Sequence, residues 1–419
     1  VMFTVPPVNF YIPAPFINQL FALSPSRLLA IMVLIPALLL PRHSTREIRR
    51  SFGPTDLLVT AYVVLQIVLL VPYETVTHSM RRSLLLVLDI VVLTTAFSRL
   101  GSRERLADVI ASWWLAIAIL APIAIFESLK GWLLYTGIAA SWGDPNVFAW
   151  LFRSGSLRAQ ASTGHSIALG YLAAIGLALY SFLRHRRPVP PLIDLTVFAA
   201  MIAALVLSFS RGAWVTAACG MAVYALMRPD AARHLPRAIG LAAVVAIVML
   251  VVPPLKEKVV DRLPFIGSQE QDTIEYRQRL ADTSWDIVQL NPWFGDPFAT
   301  LRMESLRQGQ GLIDIVNGYL FTALFTGFVG LSLLCGFLFF ALIAGYRSWR
   351  AARSGDPEWR ALSAALVASH VATLVFIATA GVDPYAYLLA GLLVSAGSIA
   401  LGVRSPAVAK AQPNRPATA

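Results

Sequence analysis

The residues in this chain best suited to chemistry are arginines in places where an apolar protein has little structural use for them. Arg211 lies in Ser208-Phe209-Ser210-Arg211-Gly212-Ala213-Trp214, a tight turn between two apolar runs. A charge there is costly if it faces lipid, so it is expected to face a polar cavity. Gly212 permits a sharp turn, and the helix that follows opens with free backbone N–H groups. A guanidinium beside a helix N-terminus suits an anion such as phosphate. The structural alternative is an arginine that snorkels to lipid headgroups.

Arg277 lies within Thr273–Leu290, where Ile274, Ala281, Trp285 and Val288 recur at helical spacing with Leu280 and Ile287 alongside. That pattern predicts an amphipathic helix lying on the membrane and closing a cavity, with Arg277 on its apolar face. Arg279 points elsewhere and reads as solvated. Arg153, Arg158, Arg262, Arg302 and Arg307 occupy long connections, which tolerate charge for topological reasons alone. Arg81 and Arg82 stand at the end of a span, where headgroup contact and function are both open. Several arginines over one cavity suit a substrate carrying a diphosphate, because a guanidinium stays charged and binds phosphate oxygens in pairs.

Other chemistries find little support. The chain has no Walker loop, dinucleotide-type glycine fingerprint, nucleophile elbow or HExxH, and its six histidines do not fall at metal-ligand spacing. No metal or cofactor is therefore expected. Asp314 and His165, each at the mouth of a helix, could deprotonate an acceptor hydroxyl. Asp314 could equally be a helix-capping acid, His165 a structural hydrogen-bonder, and Glu275 a group that only orients Arg277. Asp89 and His370 lie inside apolar runs as a relay or as hydrogen-bonded structural groups. Cys219 and Cys335 read as small buried side chains.

The elements that must position these groups are membrane spans. Of 419 residues, 57% are hydrophobic and 14% charged, and the mean hydropathy is +0.67. That composition excludes a soluble enzyme and a disordered or disulfide-stapled chain, and it indicates an all-α polytopic membrane protein. Apolar runs at 27–41, 55–73, 83–98, 106–127, 165–183, 191–209, 211–227, 236–252, 313–344, 361–381 and 384–403 predict about eleven helices, extending to twelve with one upstream. The run at 313–344 is long enough to require tilt.

The net charge of +11 reads as topogenic, not as nucleic-acid binding. Arginine clusters at 42–50, 99–105, 184–187, 228–237 and 347–360 occupy alternate connections, which makes those cytoplasmic and the C-terminus cytoplasmic. The first span then runs inward, so either a helix precedes residue 1 or the first 24 residues lie at the outer interface. Residues 1–404 form a single transmembrane domain, with outer-face loops at 128–164 and 253–312 and a disordered tail at 405–419. Trp132, Trp142 and Trp150 suit an interfacial belt in the first loop.

Three stretches resemble the O-antigen ligase and polymerase superfamily of bacterial envelope glycosyltransferases. They are Arg158-Ala159 followed by Gly164-His165-Ser166-Ile167-Ala168-Leu169-Gly170; Ser208 through Ala213; and Tyr276-Arg277 through Asn291-Pro292-Trp293-Phe294-Gly295 to Asn317, Gly327 and Gly330. The resemblance covers about 125–335. It implies a GT-C-like, metal-independent, inverting enzyme of the bacterial inner membrane that uses undecaprenyl-diphosphate-linked oligosaccharides.

On this resemblance Arg211 and Arg277 would hold the diphosphate and, with Asp314 and His165, form the catalytic set. Arg158, Arg81, Arg82, Glu275, Asn317, Tyr319 and Arg279 would bind substrate. A chain-length regulator or export complex is an expected partner. Ligases of lipid A-core carry histidine where this chain has Val316, before Asn317 and the Gly327, Gly330 pair. Asp314-Ile315-Val316-Asn317-Gly318-Tyr319, Phe126-Glu127 and Gly131-Trp132-Leu133-Leu134-Tyr135 look closer to exopolysaccharide polymerases. The leading expectation is a polymerase. A ligase to lipid A-core or protein stands second, and a transporter of lipid-linked or anionic substrates is the reading from another class.

Overall fold

The computed structural model describes residues 4–6, 23–39, 52–142, 150–153, 155–186, 190–228, 271–307, 313–352 and 356–402. The predicted span at 236–252, the first part of the long loop with Arg262, and the tail at 405–419 lie outside them. Each of the other ten predicted spans coincides with a helix. These are α1 (Pro25–Leu39), α2 (Pro54–Leu70), α3 (76–98), α4 (Arg103–Lys130), α6 (Ser166–Arg186), α7 (Pro191–Leu207), α8 (Arg211–Met227), α10 (Gly318–Ala351), α11 (Pro357–Thr379) and α12 (Pro384–Gly402). A short α5 (Thr136–Trp142), a two-residue hairpin of β1 (Phe152–Arg153) and β2 (Ser156–Leu157), and α9 (Gln271–Leu290) complete the order. The chain is an all-α polytopic membrane protein; among the described residues five helices are long and apolar enough to cross a bilayer.

Helices α6, α11 and α12 form the centre. Their small residues let neighbours approach: a Cβ on Gly170 would meet Ala213 Cβ at 2.6 Å, and one on Gly220 would meet Ala372 Cβ at 3.0 Å. Helices α4 and α10 are more peripheral and turn apolar faces outward. Cys335 of α10 is exposed there and Cys219 is half-buried, so neither sits in the core as composition suggested. Asp89 and His370 are not a relay. Asp89 pairs with Arg27 at 3.0 Å, and His370, fully buried, bonds through Nε2 to the Leu338 carbonyl at 3.0 Å.

The long apolar run near 313–344 is accommodated by a break, not by tilt alone. Asn317 caps α10, its Oδ1 accepting from the Tyr319 and Leu320 amides, and Gly327 leaves the helical path at φ +63° and ψ −167°. Breaking a helix strands backbone groups that must bond elsewhere. Residues 292–296 supply them: the Phe328 and Val329 amides donate to the Pro292 and Trp293 carbonyls at 2.7 and 3.2 Å, and the Asp296 amide donates to the Leu324 carbonyl at 2.7 Å. Gly295, at φ +74°, would place a Cβ 2.6 Å from the Leu324 carbonyl oxygen. The Asn291–Gly295 motif and the paired glycines are thus two halves of one clasp.

Helix α9 ends at that clasp, which fixes where it lies. Its buried stripe is Leu280, Ser284, Ile287 and Val288, packed on Ala323 and Leu324 of α10 and on Met303 and Leu306 of the 3-10 turn Ala299–Leu306. This stripe corrects the predicted one, because Ala281 and Trp285 are exposed. The indole of Trp285 meets Phe328 edge-on at 6.4 Å, at the rim. The apolar face of α9 therefore packs on protein and is not left to the bilayer.

Candidate functional site

Four guanidiniums converge at one end of the bundle. Arg211 opens α8 after the turn 208–210, in which Phe209 adopts the left-handed conformation at φ +46°. That conformation is uncommon for a bulky residue and turns two carbonyls toward the preceding loop. Arg153 Nη1 donates to the Phe209 carbonyl at 2.9 Å, and Arg158 Nε donates to the Ser208 carbonyl at 3.2 Å. The turn is made at Phe209 and not, as expected, at Gly212, which lies inside α8 and is needed for packing: a Cβ there would meet Thr379 Oγ1 at 2.9 Å.

The loop that carries Arg153 and Arg158 is pinned from beneath by Glu127. This carboxylate, at 0% exposure near the end of α4, accepts from the Leu134 amide at 3.0 Å, the Gln160 amide at 2.9 Å and the Ala161 amide at 2.8 Å. A buried charge is tolerable when its acceptor capacity is filled in this way. The Ala159 amide also bonds the Leu207 carbonyl at 3.0 Å, tying the loop to α7. Thr4 packs beneath the same loop, where Ser162 Oγ donates to its carbonyl at 2.6 Å.

Arg153 is the hub of the cluster. Burial, and then the charge of Arg277, hold its pKa below the ordinary arginine value. Arg158 is lowered to about 10, by burial first and Arg153 second. The charges of Arg153 and Arg211 also repel one another. Arg153, Arg158 and Arg277 have no carboxylate partner among the described residues. Like charges driven together without a counter-ion are poised for a ligand of opposite charge.

His165 links this cluster to a cavity of about 630 Å³ between α2, α3, α6, α10, α11 and α12. Desolvation and then Arg158 press the His165 pKa below the ordinary histidine value, while Asp314 opposes them. Its Nδ1 accepts from the Ile167 amide at 3.3 Å, which leaves Nε2 as the N–H donor of a neutral ring. Asp314 and Val316 line the same cavity. Tyr276, beside Arg277, holds this segment: its hydroxyl accepts from the Asp314 amide at 3.1 Å and donates to the Asp314 carbonyl at 3.2 Å. A half-buried carboxyl that the sequence did not single out, Asp383 between α11 and α12, also faces the cavity. Burial pushes its pKa up to about 6, while its Oδ1 accepts from the Tyr385 amide.

The remaining predicted residues are placed as follows. Arg82 lines the cavity but pairs with Glu74 at 2.8 Å, whereas Arg81 lines neither cavity nor cluster. Glu275 faces Arg279 at 3.8 Å, not Arg277, and both are exposed. Asn317 is the helix cap, and Tyr319 donates its hydroxyl hydrogen to the Leu374 carbonyl at 3.1 Å. Arg302 pairs with Asp296 and Arg307 with Glu304, so neither reads as a ligand group. Arg153 stood in the sequence only as one loop arginine among several. Its central position depends on a hairpin and on the Glu127 anchor, and the nearest signal was Phe126-Glu127 itself.

Residues 196–335 match the family model Wzy_C, described as O-antigen ligase. The matched stretch runs from α7 to the first half of α10 and contains Arg211, Arg277, Asp314, Asn317, Gly327 and Gly330. It agrees with the superfamily that the three motifs resemble. No curated protein matches the chain.

Proposed function

From an O-antigen ligase-family match and a cluster of arginines that converge at one end of the bundle, we propose that this chain is a glycan polymerase. It joins undecaprenyl-diphosphate-linked oligosaccharide repeat units into exopolysaccharide or O-antigen on the periplasmic face of the inner membrane. The family domain supports a polymerase or ligase role in general. The observation that carries the finer reading is the mutual repulsion of Arg153, Arg158, Arg211 and Arg277 at one end of the bundle. A diphosphate supplies the charge density such a cluster lacks, and guanidiniums stabilise it best as it departs.

In the reaction, an acceptor hydroxyl oxygen attacks the anomeric carbon of the donor sugar. The bond from that carbon to the phosphate oxygen breaks, and the diphosphate leaves with the electron pair onto the arginines. Attack from the opposite side inverts the anomeric centre. The hydroxyl proton passes to a base at the cavity mouth, and Asp314 fits that role better than His165, whose Nδ1 lone pair is occupied. Neutral His165 fits as a hydrogen-bond donor. The ligase reading rests on the description of the matched family. Val316 lines the cavity where lipid A-core ligases have histidine, and this favours the polymerase.

The test is to incubate the purified protein, in detergent with EDTA, with undecaprenyl-diphosphate-linked repeat units from its host and to separate the products on a gel. A ladder lost in Arg211→Ala, Arg277→Ala and Arg153→Ala supports the proposal. Glycan appearing on added lipid A-core or protein, with no ladder, would make it a ligase. No transfer of a substrate that a known polymerase consumes would favour transport.

A further inference from the structure

The four cluster arginines and the neighbouring cavity meet at His165 but differ in charge. None of the four lines the cavity. Of the charged groups that do, Arg82 is neutralised by Glu74 at 2.8 Å and Asp89 by Arg27 at 3.0 Å. Asp314 and Asp383 remain, with no ion-pair partner among the described residues. Carboxylates in a partly desolvated pocket repel a diphosphate, so whatever enters is not the anionic part of the substrate.

The other walls say what it is. Gln66 presents an amide nitrogen with no hydrogen-bond partner, and the hydroxyls of Tyr62, Thr322 and Tyr387 lie near one another. Phe321 and Phe376 add flat apolar surface. Carboxylate acceptors, an unused amide donor and aromatic faces suit a neutral ligand with many hydroxyls and apolar C–H faces, that is, a sugar. The volume, about 630 Å³, lies within the ~300–1,000 Å³ of sites that enclose small ligands.

We propose that this cavity is the acceptor subsite: it binds the neutral terminal sugars of the acceptor glycan through Gln66, Asp314 and Asp383, apart from the arginines that bind the donor diphosphate. The inference rests on the polymerase reading and deepens it. An inverting displacement needs the attacking oxygen and the leaving diphosphate on opposite sides of the anomeric carbon. His165 and Asp314 line the cavity, while the arginine cluster reaches His165 through Arg158 without lining it, so the two subsites are distinct and adjacent.

The experiment compares two probes on purified protein in nanodiscs: the lipid-free repeat-unit oligosaccharide released from the host polysaccharide, and farnesyl diphosphate. Gln66→Leu and Asp383→Asn are expected to weaken oligosaccharide binding about tenfold each, the worth of one hydrogen bond. Farnesyl diphosphate binding should stay within about twofold, which also shows that the variants fold. Arg153→Ala should show the reverse pattern. Unchanged oligosaccharide affinity in both variants, no oligosaccharide binding to the wild type, or loss of farnesyl diphosphate in both variants overturns the proposal. If Arg153→Ala keeps its farnesyl diphosphate affinity, the diphosphate reading fails instead, and the oligosaccharide comparison still judges the cavity.

Discussion

The two ends of the bundle are both rich in arginine and use it differently. At the end opposite the cavity, three guanidiniums are held by carboxylates. Arg103 meets Asp356 and stacks over Trp359, Arg186 bridges Asp108 and Glu358, and Arg184 meets Asp194 at 2.6 Å. At the cavity end, Arg153, Arg158 and Arg277 have no carboxylate partner among the described residues, and Arg153 is pressed by Arg277 and presses in turn on Arg158. Paired arginines explain themselves through topology and stability. Unpaired ones held together by an anchored loop require something outside the chain, and that contrast identifies the site more surely than the number of arginines does.

The largest effect that would break this contrast is at its hub. Arg153→Ala should cut polymer formation by about 10²–10³-fold, the usual loss for a donor facing developing negative charge, and Arg153→Lys should recover part of it. A gel-based initial rate checks both. Next comes the anchor. Glu127→Ala leaves three backbone amides without an acceptor, so about 3 kcal/mol of stability should be lost, read as a lower melting temperature in detergent. Transfer should fall with it, as Arg158 is released.

The clasp follows. Gly327→Ala forces a side chain into a positive-φ position against the Trp293 backbone and should cost roughly 2 kcal/mol. It should also raise the KM for donor by shifting α9 and Arg277. A smaller effect is set by pH. The Asp383 pKa is raised from 3.8 to about 6, so its protonated form is favoured by folding. That contribution is complete below 3.8 and is lost as pH rises through about 6, so the melting temperature should decline across that window and Asp383→Asn should flatten the decline. The smallest effect sharpens the comparison from the other end: Arg103→Ala should change stability by no more than about 1 kcal/mol and leave the ladder intact.

Much of this was legible in the sequence, and what was not has physical causes. Spans could be read because a bilayer demands continuous apolar runs, and ten of them coincide with helices. Arg211 stood out because an arginine between two such runs is anomalous. The buried stripe of α9 was misread by about one residue position: Ser284 goes inside, and Trp285 keeps to the rim where an amphipathic ring is comfortable. The break at Gly327 was hidden because Leu, Phe and Val on either side continue the apolar pattern. Arg153 and Asp383 escaped for another reason, and Glu127 entered only within the Phe126-Glu127 motif. What each faces is decided by residues that the fold brings to it from elsewhere in the chain.

The central claim is that separate arginines hold one anion, and a double-mutant cycle tests it most directly. The affinity of purified protein for farnesyl diphosphate would be measured for wild type, Arg153→Ala, Arg277→Ala and the double variant. If both guanidiniums grip the same diphosphate, each single change weakens binding strongly and the double change adds much less than the sum, a coupling of at least about 1 kcal/mol. Strictly additive losses, or affinities equal to wild type, would contradict the account.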